Sequence, residues 1–236
     1  MYQVEDRHWW YQGMGDITRA LLDRWASFPN LKILDAGCGT GAAMTTYLAE
    51  YGIVTGVDLY PQALTFCRKR NAARLARASV LNLPFAPASF DLISSFDVLY
   101  ERAVVDELTA LREFFRVLSP TGQILLRLPA YDWLRGRHDE RVHTNRRYTK
   151  KLVGELLKQS GFTVKHLSYA NTFLFPLAVI KRLSERFFPS PENESDLSLE
   201  TGIFNGVFKS VLASEAPLVA GSGLPYGLSV IAIGGK

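Results

Sequence analysis

The chain has 236 residues, 47% of them hydrophobic and 21% charged, which is enough apolar material for one well-buried core and leaves no low-complexity tail. A net charge of +4, from basic residues spread along the chain with a concentration between Arg135 and Lys151, is too mild to argue for a nucleic-acid partner. Two cysteines exclude a disulfide framework, no apolar run approaches the roughly 18 residues of a membrane span, and the start lacks a secretory pattern, so one cytoplasmic domain over 1–236 is expected.

Residues 1–30 read as a helical cap: a polar start, the aromatic cluster His8-Trp9-Trp10-Tyr11, and a helix with Ile17, Leu21 and Trp25 on one face. From residue 31 strands and helices alternate. A strand at 31–35 leads into a glycine turn and a helix after Gly41, then a strand at 53–57 closes on Asp58, and Pro61 opens the next helix. A short strand near Ala78-Ser79-Val80 and a buried strand from Phe90 to Ser95 follow. Leu108, Leu111, Phe115 and Leu118 make a helical stripe stopped by Ser119-Pro120-Thr121-Gly122, and Gln123 to Leu128 is the next strand. Thr149 caps a helix ending at Gly161, Phe162 to Tyr169 is a strand, and Leu228 to Ile233 is the last one. The rhythm is α/β.

In Leu34-Asp35-Ala36-Gly37-Cys38-Gly39-Thr40-Gly41 the glycines alternate, unlike the dinucleotide fingerprint, and no lysine follows Gly41 as a phosphate loop would require. Asp35 would repel a pyrophosphate but suits a ligand with a free ammonium group. Asp58, about 20 residues beyond the turn, stands where a carboxylate accepts from ribose hydroxyls. With Leu83-Pro84-Phe85, Ser89-Phe90-Asp91 and Val117 to Gly122 in register, the stretch from about 30 to 170 resembles the class I S-adenosylmethionine-dependent methyltransferases.

The resemblance implies a Rossmann-like, doubly wound sheet of seven strands with an antiparallel last strand. It also implies S-adenosylmethionine as cofactor and S-adenosylhomocysteine as product. Asp35 would take the ammonium, Gly37, Cys38, Gly39 and Gly41 the methionyl part and ribose, Asp58 and Leu59 the ribose, and Ser79 and Val80 the adenine. Ser95 and Phe96 would lie on the sulfonium side, with Tyr11 in a lid. Ser79 departs from the acid that similar proteins often carry there. The core is then 31–170, followed by a helical insertion at 171–223 and the last strand at 224–236; an insertion of about fifty residues where a hairpin is usual suits a lid, a dimer contact or a substrate wall.

For the acceptor side, Tyr100 and Glu101 follow the fourth strand, and a glutamate serves as base only with a raised pKa or an acidic acceptor. His138, Asp139 and His143 are candidate catalytic residues, weighed against a surface role, with Arg146, Arg147 and Tyr148 as candidate acceptor contacts. Their spacing is a poor metal predictor, and no metal is expected. Phe173, Phe175 and Leu177 are expected to give the insertion its apolar contacts to acceptor, with Asn171 as a polar fixing point. The reading is methyl transfer to a small, partly hydrophobic molecule, oxygen favoured, by a monomer or homodimer. A nucleic-acid methyltransferase fits less well, because Ser95-Phe96-Asp97-Val98 replaces an N-P-P-Y-like signature. A cofactor-binding accessory subunit stays open, as does peripheral membrane contact through Phe173–Arg186, beside Lys181 and Arg182, against the alternative of a buried helix.

Overall fold

A computed structural model describes residues 2–26, 30–135, 146–187 and 204–236. One seven-stranded sheet runs β3-β2-β1-β4-β5-β7-β6. Its strands are β1 (Leu31–Ala36), β2 (Gly52–Asp58), β3 (Leu75–Arg77), β4 (Phe90–Phe96), β5 (Leu118–Pro129), β6 (Thr163–Ala170) and β7 (Ser229–Gly235). β7 alone lies antiparallel, wedged between β5 and β6. The order reverses at β1, which pairs with β2 on one side and β4 on the other, and that switch point opens the crevice where open α/β sheets bind ligands.

Alternation along each strand divides the apolar residues between two cores. Ile33, Leu92, Leu125 and Ile231 face α1 (Trp9–Trp25), while Leu34, Ile93, Leu126 and Ala232 face α4 (Glu107–Val117) and α5 (Lys150–Gln159). Asp106 and Thr149 cap α4 and α5, each accepting a backbone N–H. Three helices fill the described part of 171–223: α6 (Phe175–Phe187), α7 (Asn205–Ala213) and α8 (Ala216–Ala220). Leu212 and Val219 of α7 and α8 extend the core around α1, so this segment packs on the helix that precedes the sheet. Among the described residues no helix is long and apolar enough to cross a membrane.

Three expected boundaries move, each for a local reason. The short strand near 78–80 sits earlier, at Leu75–Arg77, because the register sets Gly56 against Leu75; Ala78 then donates to Asp58 O and Ser79 Oγ accepts from Leu81 N, turning the chain. Leu118 is not helical: α4 stops at Val117 and Leu118 pairs with Phe90 as the first residue of β5. The helix after Gly41 is one turn, α2 (Ala42–Thr45), followed by a 3-10 turn at Leu48–Glu50. Thr45 and Thr46 bond back to the Gly41 and Ala42 carbonyls there, a competition that weakens a helix interior. The order of the elements is unchanged.

Candidate functional site

The turn after β1 is held by backbone: Gly37 and Cys38 both donate to Val57 O, which folds residues 37–41 across the end of β2. Gly37 has φ +84°, and a Cβ there would lie 2.2 Å from Val98 Cγ2, so no side chain fits. Gly39, at φ +55°, has nothing within 4 Å of its Cβ position, and it borders a cavity of about 1020 Å³. Its N–H donates to Asp58 Oδ2 at 2.9 Å, and Tyr60 N donates to Oδ1 at 2.9 Å, so the carboxylate is fixed beside the open turn. Burial holds the Asp58 pKa above its ordinary value against these donors.

Asp35, at the end of β1, is buried and accepts from Ser94 Oγ at 2.8 Å. Loss of water pushes its pKa up to about 6, with Ser94 acting in the opposite sense. An ammonium group beside it would restore the ionised form. Glycine turn, Asp35 and Asp58 therefore fit an adenosyl amino acid: a backbone cradle, a ribose acceptor, and a buried carboxylate that feels the charge of Arg127 but forms no ion pair among the described residues. Cys38, Leu59, Ser79, Val80, Phe96 and Tyr11 also line the cavity, and of the remaining expected cofactor residues Gly41 and Ser95 do not. Gly41 instead lets the turn lie against Cys67, and Ser95 is buried within β4 with its hydroxyl unpartnered.

Tyr100 and Glu101 are on the cavity wall, together with Arg147. Burial, and then the charge of Asp58, push the Glu101 carboxyl up to about 7. Arg146 and Tyr148 are turned elsewhere. Arg146 pairs with Glu107 at 2.5 Å, and the fully buried Tyr148 donates toward Leu99 O (3.1 Å) and Glu107 Oε1 (3.0 Å), pinning the segment after β5 to α4. Tyr148→Phe is expected to cost about 1–2 kcal/mol of stability in denaturant titration and to leave cofactor affinity unchanged. His138, Asp139 and His143 lie outside the described residues.

The insertion meets the cavity through residues other than the two phenylalanines expected. Asn171 and Leu174, just before α6, line it together with Leu177, Ala178, Lys181 and Arg182, which share one face of that helix. Phe173 precedes α6 and is 47% exposed, whereas Phe175 lies on another face against Tyr131, Trp133 and Tyr226. Asn171 is 1% exposed and its Oδ1 has no partner. Asp97, Tyr131 and Asn171 all take left-handed backbone, at φ +59°, +58° and +61°, just beyond the ends of β4, β5 and β6.

Sequence reasoning missed two groups. Arg127, from β5, is buried against Asp97 at 2.7 Å, its guanidinium 4.8 Å from the rings of both Trp10 and Phe96. A charge inside the apolar run Ile124 to Leu128 was the available signal. Glu5, in a start that looked merely polar, accepts from Thr40 Oγ1 of the glycine turn and pairs with Arg70 of the turn after α3 (Pro61–Lys69). The aromatic segment follows this strap: His8 caps α1 by accepting from Trp10 N, and Trp9 N donates to Asn205 Oδ1 of α7 at 2.8 Å. Cap and insertion are thus tied together.

Residues 34–126 match the methyltransferase domain family model. The chain is 31% identical over 173 residues to a malonyl-(acyl-carrier protein) O-methyltransferase of Enterobacter lignolyticus, covering 67% of each protein. It is 32% identical over 161 residues to an uncharacterized methyltransferase of Synechocystis, covering 62% of this chain and 74% of that one. Six other curated relatives are matched over 29 to 52% of their own length. The crystal structure of a Burkholderia thailandensis 1,6-didemethyltoxoflavin-N1-methyltransferase with S-adenosylhomocysteine bound has the same fold, with a TM-score of 0.56 at 17% identity, covering 96% of this chain and 80% of that one. With the glycine turn, the two acidic strand ends and the antiparallel seventh strand in place, the chain belongs to the class I S-adenosylmethionine-dependent methyltransferases.

Proposed function

We propose that the chain methylates a small, partly apolar molecule on oxygen, with Glu101 as the base that takes the acceptor proton. The observation that carries this is the make-up of the cavity wall away from the glycine turn. There Leu174, Leu177 and Ala178 of the α6 segment share the wall with Tyr100, Val104 and Leu134, with Glu101 and Asn171 and the cations Arg147, Lys181 and Arg182 as polar points. A volume of about 1020 Å³ is at the upper end for one small ligand, which supports room for donor and acceptor together.

Asp58 and the open Gly39 would hold the ribose, and Asp35 the ammonium. When bound, S-adenosylmethionine supplies an electrophilic methyl group on a sulfonium. The chain's own contribution is to align the acceptor oxygen with that methyl, which the apolar wall and Asn171 would do. A carboxyl near 7 accepts a proton at neutral pH while its conjugate acid stays strong enough to release it. The rings of Trp10 and Tyr11 on the lid side favour exclusion of water around a cationic donor. The name of the Enterobacter relative, an O-methyltransferase, supports oxygen as the acceptor atom.

The test is a panel of hydroxylated and amino acceptors assayed with Leu177→Ala and Asn171→Gly. Glycine keeps the left-handed backbone at 171. Each variant is expected to raise the acceptor KM about tenfold, the scale of one lost apolar or polar contact, and to leave S-adenosylhomocysteine affinity in calorimetry unchanged. Unaltered acceptor KM in both would move the acceptor away from α6. Transfer to nitrogen alone would overturn the oxygen assignment.

A further inference from the structure

The cofactor turn carries one of the chain's cysteines and α3 the other. Cys38 and Cys67, 29 residues apart in sequence, are brought to an Sγ–Sγ separation of 3.8 Å; both are free and buried among Met44 and Leu64. Nothing separates the two segments, since a Cβ on Gly41 would lie 3.0 Å from Cys67 Sγ and 3.2 Å from Cys67 Cα. A disulfide, with a bond of about 2.05 Å, needs the sulfurs to close by less than 2 Å.

The thiols are also wired to the ribose carboxylate. Cys67 Sγ donates to Gly39 O at 3.2 Å, and Gly39 N donates to Asp58 Oδ2 at 2.9 Å. We propose that Cys38 and Cys67 are a modification site, a reversible disulfide formed by a peroxide, which weakens the hold on the adenosyl cofactor. One thiol is oxidised to a sulfenic acid as the peroxide O–O bond breaks and a first water leaves; the second thiol attacks that sulfur, the S–S bond forms, and a second water leaves. Two thiols are oxidised and one peroxide is reduced. Within the pair the hydrogen bond between the sulfurs lowers the Cys67 pKa and, together with burial, raises that of Cys38, so Cys67 is the thiol that ionises first.

Crosslinking removes the S–H donor from Gly39 O and draws the turn toward α3, so Gly39 N and Asp58 lose the geometry that supports the ribose. Cys38 borders the cavity, which gives a small peroxide its path and means that bound cofactor covers it. Linkage then requires that occupancy of the cofactor site shift the pair toward its thiol form, and a cofactor covering Cys38 also slows the approach of peroxide. This rests on the donor site alone and is independent of the acceptor reading.

The full chain is treated with hydrogen peroxide and followed by intact mass, thiol titration and a non-reducing peptide map. The expected result is loss of both thiols, a mass lower by two hydrogens and a Cys38–Cys67 link. S-adenosylhomocysteine affinity falls roughly tenfold in calorimetry and recovers with dithiothreitol, and saturating S-adenosylhomocysteine slows the crosslink. Cys67→Ser keeps a donor toward Gly39 O and is expected to bind normally before and after peroxide; if the serine does not fold, Cys67→Ala, which lacks that donor, is expected to start from a weaker affinity that peroxide leaves unchanged. Two titratable thiols after treatment, over-oxidation without a link, a link with unchanged affinity, or equal peroxide sensitivity in Cys67→Ser each overturn the proposal.

Discussion

Glu101→Gln is expected to lower turnover by a hundredfold or more, the usual scale for a general base, while S-adenosylhomocysteine affinity stays within a few-fold of the parent. The carboxylate is pushed up to about 7 by burial and by the charge of Asp58. Turnover of the parent should therefore rise with pH below about 7 and level above it, and the variant should lose that limb. Stability carries the opposite sign. A carboxyl whose pKa is raised in the folded state binds its proton more tightly there, so its contribution to stability is full below about 4.5 and is lost as pH rises to about 7. Glu101→Gln should consequently melt higher than the parent at pH 8. A flat pH–rate profile in the parent, or a variant that turns over normally, would remove Glu101 from the chemistry and return attention to His138 and His143.

Asp58→Ala is expected to weaken S-adenosylhomocysteine binding about tenfold to a hundredfold, since hydrogen bonds to a charged acceptor contribute roughly 1.5–3 kcal/mol. Asp58 also receives Gly39 N and Tyr60 N, so its loss frees the turn as well as the ribose contact. Asp58→Asn, which keeps one carbonyl acceptor, should fall between alanine and parent. The readout is calorimetric affinity alongside a melting curve. Unchanged affinity in both variants would take the ribose away from β2, whereas a fall in melting temperature with affinity intact would leave Asp58 only the work of shaping the turn.

The sheet was legible because its evidence is local and repeated. Alternating residues such as Ile33 and Leu34 must face opposite cores, the glycine turn demands backbone that side chains forbid, and an acid after an apolar run marks the end of a strand. Phe175 shows where this fails. It is apolar and lies in the right segment, but which face of α6 meets the cavity depends on how that helix docks, and periodicity along one helix gives a stripe without its direction. Tyr148 failed for a related reason: a hydroxyl near the expected rim is equally able to serve an acceptor or, as it does, to satisfy Leu99 O and Glu107 inside the core.

The sequence by itself determined the α/β class and the place of the glycine turn after the first strand, with Asp35 and Asp58 at the ends of neighbouring strands, because each follows from spacing within a few tens of residues. Tertiary structure alone decided what depends on distant segments meeting. It joined Glu5 to Thr40, set Arg127 between Trp10 and Phe96, raised Glu101 by burying it near Asp58, and brought Cys38 against Cys67. Such contacts are set by desolvation and docking, and both are properties of the assembled chain, with no local pattern in sequence to announce them.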